Sequence, residues 1–292
     1  MQKLSEVFTQ AVAERWAIPH FNISDLGMLN AIAVKAAELR APVMIGVSEG
    51  ERAVIRDGIA VAMVAAAAKT FGASLYLNAD HARSPESAIE AITAGFQSVH
   101  IDLSKESDET NIAGVLQVVE AARAAGDVMV EGEIGYLVTD SSTIYTEAVV
   151  VPEESLASVE RAVNFIQATK VDRLAAAVGT IHGMVVKDNL AKDNVNVERV
   201  GLIHSAIPTV PLVLHGGAGV PFDAVAEAVK AGIANVHFST DLRIAYITAL
   251  RASLAGAPEE IIPYKLFKPA GSALQEVVRE RILLCGAAGK II

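Results

Sequence analysis

Three of the seven histidines in this 292-residue chain stand in short polar clusters that follow apolar runs. They are His81 in Asn78-Ala79-Asp80-His81, His182 in Gly179-Thr180-Ile181-His182-Gly183, and His215 in His215-Gly216-Gly217-Ala218-Gly219. Three imidazoles with an open fourth position make a catalytic zinc or similar divalent site. Asp80, directly before His81, is a carboxylate suited to taking or returning a proton beside a polarised carbonyl. Its plainer reading is a cap for a helix over Ser84–Ala91. Glu133, in Glu131-Gly132-Glu133, reads as a fourth ligand, a partner that orients one, or one half of a buried ion pair. The glycine cluster after His215 lets backbone approach a ligand closely and aims N–H groups outward, a place for phosphate. Ser239-Thr240 adds hydroxyl donors to the same anion.

These groups must be carried to one place, and the apolar runs show how. Eight segments rich in Val, Ile and Leu recur: Ala17–Ile23, Pro42–Ser48, Ser74–Asp80, Ser98–Leu103, Val128–Ile134, Arg173–Gly179, Pro211–Gly216 and Ile233–Thr240. Near-continuous apolar runs indicate strands buried on both faces, as in parallel sheets. Helical spacing fills the intervals, with Leu26, Leu29, Ala33 and Ala36 on one face and Val115, Val118, Val119 and Ala122 on another. Gly72, Gly95, Gly126 and Gly232 separate such stretches from the next strand, where a left-handed helix end is needed. Strand, helix and glycine repeated eight times predict an α/β fold, a single-domain (β/α)₈ barrel over 1–292. A doubly wound open sheet is the alternative, but no Gly-x-Gly-x-x-Gly follows the first strand. Leu4–Ala13 is expected to cover the barrel bottom. In such a barrel function sits at the C-terminal strand ends, where the polar clusters fall.

Composition excludes several other classes. The chain has 24 basic and 34 acidic residues, a net charge of −10, and 52% apolar residues. Nucleic-acid binding needs clustered Lys and Arg and is not expected; nor is disorder. The longest apolar run, Ile59–Ala68, is too short to span a bilayer. Met1–Trp16 carries Glu6 and Glu14 without a continuous apolar stretch, so no secretory signal and a cytoplasmic location are expected. The lone Cys285 excludes an internal disulfide and is expected to be a buried small hydrophobe.

In this order, the motifs resemble the class II, metal-dependent ketose-bisphosphate aldolases, the fructose- and tagatose-bisphosphate type. The likeness runs from Pro19-His20-Phe21-Asn22 to the Lys265-x-x-Lys268-Pro269-Ala270 segment. Its most specific pieces are Asp80-His81, Glu131-Gly132-Glu133-Ile134-Gly135, Gly179-Thr180-Ile181-His182-Gly183, His215-Gly216-Gly217 and Thr240-Asp241-Leu242-Arg243-Ile244-Ala245. The resemblance implies retro-aldol cleavage of a ketose phosphate to dihydroxyacetone phosphate and an aldehyde such as glyceraldehyde 3-phosphate. It implies one zinc ion on His81, His182 and His215 with Glu133 close to the metal, room for a monovalent cation, and Asp80 as the acid–base group. Gly183, Gly216, Gly217, Ala218, Ser239 and Thr240 would hold the shared phosphate, and Asn22 and Ser48 would place the substrate. A homodimer or homotetramer is the family habit.

Three departures stand out. Ala218 replaces the family's serine in Gly-Gly-Ser-Gly, removing one hydroxyl donor. His237 replaces an asparagine in strand 8 and would offset that loss if its ring reached the phosphate or a substrate hydroxyl. The segment 138–147 replaces a glycine-rich loop that carries an acid–base residue, leaving Asp140, Tyr145 and Glu147 as candidates. Lys105 and Lys187 read as solvated surface lysines. Two rival enzyme classes have their own signatures. A Schiff-base aldolase needs a lysine inside a strand, and none of the eight segments contains one. An amidohydrolase-type metal hydrolase needs His-x-His at strand 1, where this chain has His20-Phe21-Asn22. An aldolase-like paralogue acting on another sugar phosphate, or a non-catalytic partner subunit of an aldolase complex, completes the alternatives.

Overall fold

All eight apolar segments form parallel strands in a computed structural model that describes residues 2–139, 142–185 and 195–291. They are β1 (Ile18–Asn22), β2 (Val43–Ser48), β3 (Leu75–Ala82), β4 (Ser98–Ile101), β5 (Met129–Ile134), β6 (Arg173–Ala176), β7 (Leu212–Leu214) and β8 (Ile233–Phe238). They pair in chain order, and β1 closes on β8 through Ile18 opposite Asn235 and Phe21 opposite Phe238. The closed (β/α)₈ barrel is therefore as expected. Strands β6, β7 and β8 end earlier than their apolar runs. Gly179 and Gly216 take φ of +106° and +74°, which bends the chain out of extended geometry and opens the mouth.

Helices cover the outside. The face Val115, Val118, Val119 and Ala122 is buried on Asp108–Ala125. On Leu26–Glu38 the buried set is Met28, Leu29, Ala31, Ile32, Ala33 and Ala36, while Leu26 is exposed. As the first helical residue Leu26 lies beside the strand ends rather than over the sheet, so its expected place in that face is corrected. The N-terminal helix Leu4–Glu14 closes the end opposite the mouth: Phe8 is buried and its ring lies 4.9 Å from the Arg173 guanidinium carbon.

The lumen departs from the branched apolar filling usual in these barrels. Arg173 is wholly buried there, 2.9 Å from Glu131 Oε2, and donates to Ser98 Oγ at 2.7 Å. Burial by itself would raise the Glu131 carboxyl, but Arg173 and the neighbouring histidines hold it well below the usual carboxylate range.

Cys285 is fully buried at the end of the C-terminal helix Pro263–Leu284, and burial pushes its thiol far above the ordinary range. A maleimide is therefore expected to leave the folded protein unlabelled at pH 8 and to modify one thiol after denaturation. Labelling at equal rates in both states would refute that packing. No helix among the described residues is long and apolar enough to cross a membrane.

Candidate active site

The C-terminal strand ends surround a pocket of about 400 Å³. Strand β3 delivers both Asp80 and His81 to it, which a regular strand would not do, since successive side chains point to opposite faces. His81 adopts φ of +51°, and the β3–β4 register slips between Ala79 and Ala82. This bulge turns the His81 ring into the mouth beside Asp80. Asp80 is not a helix cap: Ser84 Oγ accepts the N–H of Ser87 and caps Pro85–Ala94.

The three predicted histidines meet. Ring centroids are 5.0 Å apart for His81 and His182, 4.7 Å for His81 and His215, and 6.1 Å for His182 and His215. His81 Nδ1 lies 3.0 Å from Asp102 Oδ2, an arrangement that leaves Nε2 toward the pocket. His215 Nε2 lies 2.8 Å from Glu131 Oε1, so its Nδ1 is the atom left for a ligand role. Burial and neighbouring His81 push the His182 imidazole down to about 3. Burial and His237 hold His215 well below its ordinary value. Both are neutral near pH 7, the form that binds a cation.

One further histidine belongs to the cluster. His100, wholly buried on β4, presents its ring 4.5 Å from that of His81 and 4.8 Å from that of His215. Ligating atoms of Asp80, His81, His100 and His215 all lie within 4.8 Å of one another. In this four-residue grouping His100 takes the place that sequence reasoning assigned to His182. The signal for it was faint, because Ser98-Val99-His100-Ile101 reads as an ordinary strand with one polar residue. Glu133 Oε2 sits 3.2 Å from His100 Nε2, and the Glu133 carboxylate also groups with His81 and Asp102. Burial and the adjacent Asp102 push the Glu133 carboxyl up.

Asp80 is nearly fully buried, and its Oδ2 accepts from Asn22 Nδ2 at 2.9 Å. Its Oδ1 lies 3.4 Å from His237 Nδ1. Burial alone would raise the Asp80 carboxyl, but the His81, His100 and His237 rings outweigh it and keep it well below the usual range. Asp80 is thus an ionised carboxylate, ready to accept a proton.

His237 stacks on His20 with centroids 3.6 Å apart and planes within 5°. That stack needs Gly46 on β2, because a Cβ there would stand 2.1 Å from His20 Cε1. The second nitrogen of His237, Nε2, lies 3.2 Å from Asn235 Oδ1. Its ring nitrogens therefore face Asp80 and Asn235, although the residue lines the pocket.

Ser48, Gly183, Gly216, Ala218, Ser239 and Thr240 line the pocket as expected. Gly217 does not. Its N–H donates to the His237 carbonyl at 3.1 Å and its Cα packs against Val236, so its expected part in phosphate binding is corrected. The positive φ of Gly216 is obligatory: a Cβ there would fall 2.1 Å from the Ile181 carbonyl oxygen. Among the loop candidates, Tyr145 forms a short parallel bridge with Val185, Glu147 is exposed, and Asp140 lies outside the described residues. Lys187 lies outside them too, while Lys105 is exposed at the pocket rim. Asp241 is held by Arg281 at 2.7 Å, so in Thr240-Asp241-Leu242-Arg243 the carboxylate is structural and Arg243 reaches the pocket.

Comparison with known proteins follows the geometry. The sequence model of the family described as fructose-bisphosphate aldolase class-II matches residues 2–290. A fructose-bisphosphate aldolase of Thermus caldophilus is 34% identical, with 98% of each chain covered. One from Nostoc sp. is 31% identical, covering 96% of this chain and 88% of the relative. Among solved structures, the YdjI aldolase of Escherichia coli K12 superposes with a TM-score of 0.81 at 25% identity, over 100% of this chain and 99% of the other.

Proposed function

The chain belongs to the class II fructose-bisphosphate aldolase family and is a carbon–carbon lyase of the aldolase type, and from that premise we propose zinc-dependent, reversible cleavage of a ketose phosphate to dihydroxyacetone phosphate and an aldehyde. The observation that carries this reading is the convergence of His81, His182 and His215 beside the ionised Asp80 carboxylate at one barrel mouth. The donor set suits a dication: His182 and His215 are neutral imidazoles, and the Asp102 carboxylate orients His81. His81, His182 and His215 would hold it, with His100 and Glu133 beside them in the cluster. Such an ion supplies Lewis acidity, polarising the ketose carbonyl and stabilising the enediolate left by bond cleavage.

The protein's own part is positioning and proton transfer. Asp80 takes the proton from the hydroxyl on the carbon that becomes the aldehyde, as the carbon–carbon bond breaks and its electron pair passes to the ketose half. Asn22 and His237 hold the carboxylate in place from two sides. In the reverse direction Asp80 returns the proton to the new alkoxide. Gly183, Gly216, Ala218, Ser239 and Thr240 receive the phosphate of the ketose half. Retention of all three histidines favours a catalyst over a non-catalytic partner subunit. For assembly our reading is a homodimer or homotetramer, supported by exposed Ile261, Tyr264 and Phe267 at the C-terminal helices.

Chelation is expected to abolish cleavage of ketose phosphates, and added zinc to restore it. Borohydride with substrate should trap no covalent adduct. Activity that survives exhaustive chelation with undetectable metal would overturn the zinc reading.

A further inference from the structure

Five donors converge on one point just behind the pocket lining, and a buried side chain of the protein already occupies it. Glu51 accepts from the Ser48 N–H at 2.8 Å, Ser48 Oγ at 2.9 Å, Ser24 Oγ at 3.0 Å and Asn22 Nδ2 at 3.4 Å. The Arg243 guanidinium pairs with Oε1, the oxygen that also accepts from Ser24, while Ser48 and Asn22 donate to Oε2. Ser48 and Glu51 by themselves form the capping box of the two-turn helix Glu49–Ile55. A capping box has no need of Asn22 at the end of β1, Ser24 just after it, or Arg243 on the helix Thr240–Gly256 that follows β8. Asn22, Ser48 and Arg243 all line the substrate pocket, and Asn22 also bonds Asp80. Two hydroxyls, an amide, a backbone N–H and a guanidinium make a receptor for an oxyanion. Here the oxyanion is internal.

The glycine turn after β7 is separated from this receptor by the ends of β8 and β1. A ketose held by its phosphate at the glycine turn, with its aldehyde-forming carbon at Asp80, has its far end left to reach toward Glu51. We propose that Glu51 is a specificity-determining residue that makes the enzyme select ketose 1-phosphates with an uncharged, hydroxylated far end over ketose bisphosphates. The inference rests on the aldolase reading above. A second phosphate there would find its donors taken and a carboxylate in its place, and like charges brought together inside an interface select strongly against the charged ligand. An uncharged hydroxyl, by contrast, meets no such repulsion at the lining formed by Asn22 and Ser48. Arg83 and Lys105, the other cations of the lining, are solvent-exposed at the rim after β3 and β4.

The test compares zinc-loaded wild type, Glu51→Ala and Glu51→Gln on the 1-phosphates and the matching 1,6-bisphosphates of fructose, tagatose, sorbose and psicose. Wild type is expected to favour the monophosphate by about 100-fold or more in kcat/KM. Glu51→Ala is expected to move that ratio toward the bisphosphate by about 100-fold, and Glu51→Gln, which keeps the size of the side chain, in the same direction. Calorimetric binding of sorbitol 1-phosphate and sorbitol 1,6-bisphosphate, which cannot be cleaved, reads the same preference without turnover. A wild-type preference for the bisphosphate, or ratios within threefold of wild type in both variants, overturns the inference and leaves the aldolase reading standing. If no ketose phosphate is cleaved but the hexitol ratio shifts as stated, the aldolase reading fails and the role of Glu51 stands.

Discussion

Asp80→Asn is expected to lower turnover by roughly 10²–10⁴, the contribution of one positioned acid–base group, while metal content and melting temperature stay near wild type. The amide has the shape of the carboxylate, and its oxygen can still accept from Asn22, so the local packing has no reason to collapse. What it loses is the basic lone pair that takes the hydroxyl proton. The contrasting substitution is His215→Ala, which is expected to lose both metal and turnover, because two imidazoles do not hold a catalytic dication firmly. Metal stoichiometry measured beside kcat separates the two. An Asp80→Asn enzyme with an unchanged rate would reduce Asp80 to a support for Asn22 and His237.

The second large effect is on stability. Arg173→Met is expected to cost about 3–5 kcal/mol, the range for breaking a buried ion pair by removing one partner. Both members of the Arg173–Glu131 pair are wholly buried, so the methionine leaves the Glu131 carboxylate without its cation. The same arginine also serves Ser98 and Asn235, whose polar groups lose a partner together. At this size the loss corresponds to a fall in melting temperature of roughly 6–20 °C. Adding Glu131→Gln should recover much of it by removing the stranded charge. A melting curve for Arg173→Met within 2 °C of wild type would mean that water or local rearrangement carries the charge instead.

Much of this was legible before any coordinates. Buried parallel strands are apolar on both faces, so their runs stand out as units even where their ends do not. Asp80, His81, His182 and His215 could be placed at one mouth because a closed barrel turns all strand ends the same way. The less accurate readings had local causes. Gly217 looked like a phosphate contact because three glycines in four positions resemble an anion turn. Its N–H is taken by the carbonyl of His237 on β8, well separated from it in the chain. Leu26 fitted the helical period but sits at the helix start, beyond the reach of the sheet.

His100, Glu131, Arg173 and Glu51 were not identifiable from the chain. Each is a single polar residue whose meaning lies in neighbours contributed by other strands. His100 becomes part of the site only through β3 and β5 on either side of it, and Arg173 reads as a strand residue until the lumen closes around it. The sequence by itself determined the number of strands, their order and the chemistry that could gather at their ends, because periodicity and residue type are local properties. Tertiary structure alone decided that a bulge at His81 turns it beside Asp80, and that Glu51 fills the receptor at Arg243. Both depend on register and on distances between elements far apart in the chain, and no local propensity encodes those.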